Sequence, residues 1–549
     1  MKKESTKAQI LKKETGSYYT PEIISDFIVK RIFNTKYYKL SKKISVLEPS
    51  VGDGIFIQSL LSNAVSKKMD ASLEIVERDS KELDKAVSLF KGFKNKKIKL
   101  ESHLLDFLEF QKTNQKKYDL VIGNPPYIKK NHLTKRQLEL CEKIHQKANL
   151  SDKKIKNIWT AFLVSGVESL NENGVISFVL PAELLQVSYA KELRDYLRKT
   201  LHKIEVFAFN ELVFEGIEQD VIIIIGTKSS KQKGVSFFQA NKLIDLKKPH
   251  LIPGNTNIDR DTLDKWTNYI LSEEELNCLD SFKKDIKGVK DYAKVQVGIV
   301  TAANNFFIID KDIVDKFGLK PYTKKILQKS SLIPQSLSIT QTDFSILEKK
   351  GKPVFLLTLP DASEDSLPKN VKEYIRFGEN KNVQTGYKCL IRNNWFHVPS
   401  VWASEGLFIK RSNLFPRILT NDAKIMVTDA FYRISMKDGF DVKSLSFCFF
   451  NSLTFIFTEL EGRYYGGGVL ELVPNEFKNI SVPYFKISKK DVEKLDQMLR
   501  SKKPLGEILK YTNQIVLKEK LNLSDKKIKK INQIYTKLVK RRLKILTNK

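Results

Sequence analysis

The chain has 549 residues, 41% hydrophobic and 29% charged, and its 95 Lys and Arg against 64 Asp and Glu leave a net charge of +31. That length exceeds what one core holds and implies about two to four domains. Every apolar run is too short to cross a bilayer and no apolar leader follows Met1, so a cytoplasmic protein with no membrane partner is expected. Cysteines stand at 141, 278, 389 and 448 without CxxC spacing, and no two histidines share an i, i+4 interval. Neither a disulfide framework nor a metal site is indicated.

The positive charge favours a polyanionic partner. It is concentrated: residues 501–549 hold 15 Lys and Arg against 3 Asp and Glu.

From the amino terminus to about 230, short apolar runs alternate with amphipathic stretches, the pattern of a doubly wound, mostly parallel α/β sheet. A first helix opens at Thr20-Pro21, with Thr20 as its cap and Ile23, Ile24, Phe27, Ile28 and Ile32 on one face. Seven strands are predicted, at 44–47, 73–76, 98–100, 118–123, 175–179, 204–207 and 221–226. The run 228–234, rich in Lys and Ser, reads as an exposed boundary. Three regions follow: a catalytic domain over 1–235, a mixed α/β domain over 236–486 with strands at 292–297 and 306–309, and a basic helical segment over 487–549.

The strand ends carry the chemistry. After the first strand, Glu48-Pro49-Ser50-Val51-Gly52-Asp53-Gly54 forms a turn whose glycines let backbone approach a ligand, where doubly wound sheets bind nucleotides. The second strand ends in Glu77, placed to accept both hydroxyls of a ribose. After the third, Asp106-Phe107 offers a carboxylate for an adenine amine and a backbone or ring contact to the base. At the end of the fourth, Asn124-Pro125-Pro126-Tyr127 brings an amide, a bare carbonyl and an aromatic ring together, a set suited to a planar amine. Pro126 lacks an N–H, which leaves the Pro125 carbonyl free to accept.

In order and content these motifs, with Gly16-Ser17-Tyr18-Tyr19-Thr20-Pro21 ahead of the first strand, resemble the gamma class of DNA adenine-N6 methyltransferases of type II restriction-modification systems. The resemblance covers most of 16–227. Beyond it, 298–304 and 459–470 look like parts of that family's target-recognition domain. Val51 and Asp53 depart from the small residues frequent in the glycine turn.

The resemblance implies a seven-stranded Rossmann-like methyltransferase fold and S-adenosylmethionine as cofactor, held by Tyr19, Thr20, Pro21, Glu48, Pro49, Ser50, Gly52, Gly54, Glu77, Asp106, Phe107 and Asn124. The substrate would be an adenine flipped from double-stranded DNA. Asn124 and the Pro125 carbonyl would accept its two amine protons, Pro126 would shape the turn, and Tyr127 with Phe214 would stack on the base. Arg392, Lys410, Arg411 and Arg463 are candidates for DNA contacts in the second domain, and the glycines 466–468 for a close approach of DNA or a tight internal turn. The protein is expected to be a nucleoid-associated monomer working alongside a separate cognate endonuclease, since no carboxylate-plus-ExK block is found and no spare amino-terminal domain would house one. A methyltransferase acting on RNA or on protein glutamine, or an inert DNA-specificity subunit, remain alternatives.

Overall fold

The computed structural model describes residues 19–35, 38, 40–66, 70–93, 97–209, 213, 220–248, 254–255, 265–266, 271–465 and 468–543. Its contacts divide the chain into two compact units, with the main break between Leu276 and Asn277.

The first unit is built on a nine-stranded sheet: β1 (Lys43–Glu48), β2 (Asp70–Glu77), β3 (Ile98–Leu104), β4 (Tyr118–Gly123), β5 (Leu170–Pro181), β6 (Lys203–Phe209), β7 (Val221–Thr227), β8 (Gly234–Ala240) and β9 (Gly254–Asn255). Their order is β3-β2-β1-β4-β5-β7-β6-β8-β9. Strands β1 to β5 are mutually parallel, and β7 runs antiparallel between β5 and β6. β6 and β7 are buried along their whole length, as expected of strands covered on both faces. The order reverses between β1 and β4, so the carboxyl ends of β1 to β5 share one edge at the switch point where such sheets bind ligands.

All seven predicted strands are present, and the sheet has two more. The run 228–234 is a tight link into β8, which pairs parallel to β6, so the unit continues past residue 235.

Helices connect the strands: α1 (Glu22–Asn34), α2 (Ile55–Ser66), α3 (Ser80–Lys91), α4 (Phe107–Thr113), α5 (Lys135–Lys147), α6 (Trp159–Glu168) and α7 (Lys191–Thr200). In α1 the residues Ile24, Phe27, Ile28, Val29 and Ile32 are buried, at the spacing of an apolar helix face. Its cap is Pro21, which makes no side-chain capping bond. Thr20 lies one residue too early to cap, and its hydroxyl is used elsewhere.

A helix α8 (Glu273–Asp285) spans the break. The second unit holds three small sheets. β10 (Ala293–Val297) pairs with β18 (Phe431–Met436), which pairs with β14 (Gly406–Ile409), followed by β16 (Ile418–Thr420). The second sheet orders β11 (Ile308–Ile309), β13 (Phe355–Leu357), β12 (Thr323–Leu327) and β17 (Met426–Val427), and the third β15 (Arg411–Ser412), β20 (Val469–Glu471) and β19 (Arg463–Tyr465). The strand expected at 306–309 is half helix: α9 (Asn304–Phe307) precedes the two-residue β11. Phe306 and Phe307 are buried against Tyr374 and Trp395, so aromatic packing rather than strand pairing decides their conformation. The unit ends in helices, including α10 (Val442–Phe449), α11 (Ser452–Glu461), α12 (Lys489–Arg500), α13 (Leu505–Asn513) and α14 (Asp525–Arg542). The basic segment up to residue 543 therefore belongs to the second unit.

Candidate active site at the strand ends

At the tip of β1, Glu48 is 2% exposed, and neither carboxylate oxygen has a hydrogen-bond partner among the described residues. Burial, then repulsion from Asp53 and Glu77, holds its carboxyl well above the usual carboxylate range. A buried acid without a donor is costly, and groups this perturbed concentrate at functional sites. Asp53, half-buried, is also pushed up, mainly by burial and partly offset by the Ile55 N–H.

The turn between β1 and α2 runs through left-handed backbone at Gly52 (φ +52°) and Gly54 (φ +84°). At Gly54 a Cβ would stand 3.1 Å from Ala86 Cα, on α3, whereas at Gly52 it would meet nothing within 4 Å. One glycine thus packs the turn on its neighbour and the other opens onto free space. The Gly52 N–H donates to Glu77 Oε2 at 3.0 Å, while Arg78 and Asp79 N–H groups donate to Oε1. Three backbone donors fix the Glu77 carboxylate beside the turn and leave about one of its four lone-pair sites, on Oε2, for a further donor.

Asp106 caps α4, with Oδ1 accepting from Leu108 N–H at 2.9 Å and Oδ2 from Gln137 Nε2 at 3.0 Å. Phe107, expected to offer a backbone or a ring contact, has the backbone one left open. Its ring is 3% exposed and packs on Phe110 and Phe162, so it presents no ring face to a ligand. Its N–H, at the first helical position, has no intrahelical acceptor and remains the usable contact. Leu104 and Leu105, just before it, are exposed at 56% and 43%. They are the apolar surface at this tip that the sequence reading missed.

At the tip of β4, Asn124 Nδ2 donates to Thr20 Oγ1 at 3.2 Å, and Ser50 Oγ donates to the Asn124 carbonyl at 3.2 Å. The Tyr127 hydroxyl lies 3.0 Å from Asn124 Oδ1 and 3.1 Å from the Val179 carbonyl at the end of β5; its single proton serves one at a time. No hydrogen bond to the Pro125 carbonyl occurs among the described residues. Tyr127 is 8% exposed, more enclosed than a freely presented stacking ring. Tyr19 is 53% exposed, and its hydroxyl donates to Glu82 Oε1 at 3.1 Å. Nothing in the sequence singled out Glu82, because Asp79-Ser80-Lys81-Glu82 reads as a helix start. Phe214 lies outside the described residues, as do Gly16, Ser17 and Tyr18. The structure therefore brings Thr20, Ser50, Asn124, Tyr127 and β5 together, and separately joins the Gly52 turn to Glu77.

Elsewhere in this unit, Glu74, Glu101 and His103 converge within 4.8 Å. The Lys116 ammonium already lies among them, 3.0 Å from Glu74 and 2.9 Å from Glu101, so the cluster is satisfied by a cation of the chain itself.

In the second unit, the candidate DNA-contacting cations are committed internally. Arg392 donates to the Val300 and Thr301 carbonyls. Lys410 and Arg411 pair with Glu471 at 3.0 and 3.2 Å, and Arg463 with Glu476 at 3.0 Å. Glu459 and Gly468, from the segment 459–470, serve as anchors. Arg542 and Glu459, each 1% exposed, form an ion pair at 2.9 Å, and Arg542 also donates to the Gly468, Asn413 and Leu414 carbonyls. A Cβ on Gly468, at φ +74°, would stand 3.0 Å from Leu543; this glycine makes room for the end of α14. Glycines 466 and 467 lie outside the described residues.

A mostly parallel sheet whose strand tips gather these groups defines an α/β methyltransferase-like fold joined to a carboxyl-terminal α/β region. The type IIL restriction-modification enzyme MmeI, solved in complex with DNA, shares the fold: TM-score 0.63 at 13% identity, over 96% of this chain and 79% of that one. Residues 6–214 match the Eco57I restriction-modification methylase family, and 263–517 match the C-terminal domain of type II methyltransferase M.Eco57I. The type II methyltransferase M.AccI of Acinetobacter calcoaceticus is 25% identical over 492 residues, 85% of this chain and 84% of that protein. M.BanIII of Aneurinibacillus aneurinilyticus is 27% identical over 362 residues, 59% of each. The chain belongs to the Eco57I family of type II restriction-modification methyltransferases and is a DNA methyltransferase. Among the described residues, no helix is long and apolar enough to cross a membrane.

Proposed function

We propose that this chain transfers the methyl group of S-adenosylmethionine to N6 of an adenine extruded from duplex DNA, protecting the site from a separate cognate endonuclease, and that it does so as a monomer. The observation that carries the reading is Glu48: a buried, partnerless carboxylate beside an open glycine turn and one strand from Asn124. Such a group fits the ammonium of the cofactor's methionine moiety, which would supply the missing donors and a compensating charge. Around it, Glu77 would accept the ribose hydroxyls, and Asp106 with the Phe107 N–H would hold the adenine ring. Tyr19, Thr20, Pro21, Pro49, Ser50 and Gly54 would complete the walls. When bound, the cofactor supplies a methyl activated on a sulfonium.

The chain's own groups do the rest. Asn124 Oδ1 and the Pro125 carbonyl accept the two N6 protons of the target base, which localises the nitrogen lone pair and offsets its developing positive charge. Thr20 orients the amide by accepting from Nδ2, so that Oδ1 faces away from the amino terminus of α1. For Oδ1 to receive the base, the Tyr127 proton turns to the Val179 carbonyl, an acceptor already in range. Tyr127, and Phe214 by its place in the motif order, would stack on the extruded ring and repay part of the unstacking cost, roughly a few kcal/mol.

The test is incubation with methyl-labelled S-adenosylmethionine and, in parallel, duplex DNA, RNA and protein acceptors. Label in duplex DNA alone is expected. Label confined to RNA or to protein would overturn the reading.

A further inference from the structure

We propose that the outer face of α14 is a phosphate-tracking surface that grips duplex DNA. Where the four cations suggested by the second unit's sequence are tied to its own carboxylates and carbonyls, this helix carries cations that are not. Lys526, Lys529 and Lys540 are all exposed, and at about 100° per residue they fall within an arc roughly 60° wide. The opposite arc holds the buried Ile531, Ile534, Tyr535, Leu538 and Arg542. The helix is thus divided into a seated face and a basic face.

The basic face is held in place. Its buried stripe packs on α11, Tyr535 meets Phe455 at 5.7 Å, and the enclosed Arg542–Glu459 pair pins its last turn. Asp525, at the first helical position, is the helix's only acid. No ion pair involves Lys526, Lys529 or Lys540 among the described residues. Lys526 and Lys529, three apart on one helix face, repel each other, so the array costs stability that a polyanion would return.

Lys526 to Lys540 spans about 21 Å at 1.5 Å per residue, a length over which one DNA strand presents about six phosphates. Phosphate contacts of this kind fix position without reading sequence. The match to the M.Eco57I C-terminal domain stops at residue 517, so this surface lies outside the matched segment. The proposal rests on the chain's action on DNA and is independent of which base is methylated.

The experiment measures binding of the full-length protein to a fluorescent 30-base-pair duplex as sodium chloride is raised. The triple variant Lys526→Gln, Lys529→Gln, Lys540→Gln keeps good helix formers in place, and circular dichroism checks the fold. Each phosphate contact contributes about 0.9 to the slope of log affinity against log salt, so the triple variant should flatten it by about 2.7 and bind at least tenfold more weakly at moderate salt. A charge-matched control, Lys349→Gln, Lys350→Gln, Lys352→Gln, removes three exposed lysines elsewhere in the same unit and should leave the slope unchanged. An unchanged slope in the α14 variant overturns the proposal, as does an equal fall in the control. Methyl transfer to DNA at low salt should persist in the α14 variant, which separates failure of this surface from failure of the catalytic reading.

Discussion

The two units treat their charged residues in opposite ways. At the strand ends of the first, groups singled out in the sequence stay underused by the protein: Glu48 is buried with no donor, and the Pro125 carbonyl accepts no hydrogen bond among the described residues. In the second, the conspicuous cations are spent on the fold, holding loops by their carbonyls and cancelling buried carboxylates. Chemistry at a site is marked by unmet hydrogen-bonding demand. A charged residue type alone marks nothing until its partners are known.

The sharpest way to break this comparison is to remove a structural cation. Arg542→Ala leaves Glu459 buried and unpaired, and should cost about 3–5 kcal/mol, measured by urea unfolding of the full chain. A loss below 1 kcal/mol would mean that this pair does not anchor α14. Asn124→Ala should lower single-turnover methyl transfer by about a hundred- to a thousandfold, with the unfolding midpoint little changed. A comparable loss of stability would instead make Asn124 a structural residue.

Glu48→Gln probes the unmet demand directly. The folded chain holds the Glu48 carboxyl protonated to higher pH than the unfolded chain does. Without ligand, its contribution is therefore increasingly unfavourable as pH rises from the ordinary carboxylate range to the raised value, and constant above it. A cationic ligand binds the ionised form, so S-adenosylmethionine affinity should strengthen as pH rises towards the raised value. In the Gln variant both trends should flatten, and affinity should fall by about ten- to a hundredfold, read by calorimetry at several pH values. Unaltered affinity would remove Glu48 from the site. The smallest effect is expected for Arg463→Gln, whose slope of DNA affinity against salt should move by less than the roughly 0.9 of one phosphate contact.

Much of the first unit was legible because buried parallel strands are continuous apolar runs and their ends are marked by Gly, Pro and acidic residues. β8 was missed because 228–234 is rich in Lys and Ser and reads as a linker, whereas its conformation is set by pairing with β6, a long-range contact. The same applies to Thr20: locally it is a good helix cap, but its hydroxyl is claimed by Asn124, 104 residues away. At Phe107 the sequence leaves a backbone or a ring contact open, because the motif does not show that Phe110 and Phe162 enclose the ring. In the second unit, strands of two to six residues are too short for alternation to show. Its cations could not be sorted by sequence, since Lys410 and Glu471 are 61 positions apart yet meet at 3.0 Å.

The most direct test of the strand-end site is nucleoside analysis of duplex DNA after incubation with methyl-labelled S-adenosylmethionine, with wild-type and Asn124→Ala protein side by side. The label should elute as N6-methyldeoxyadenosine with the wild type and fall to background with the variant. Label on cytosine, or full adenine methylation by the variant, would contradict the account.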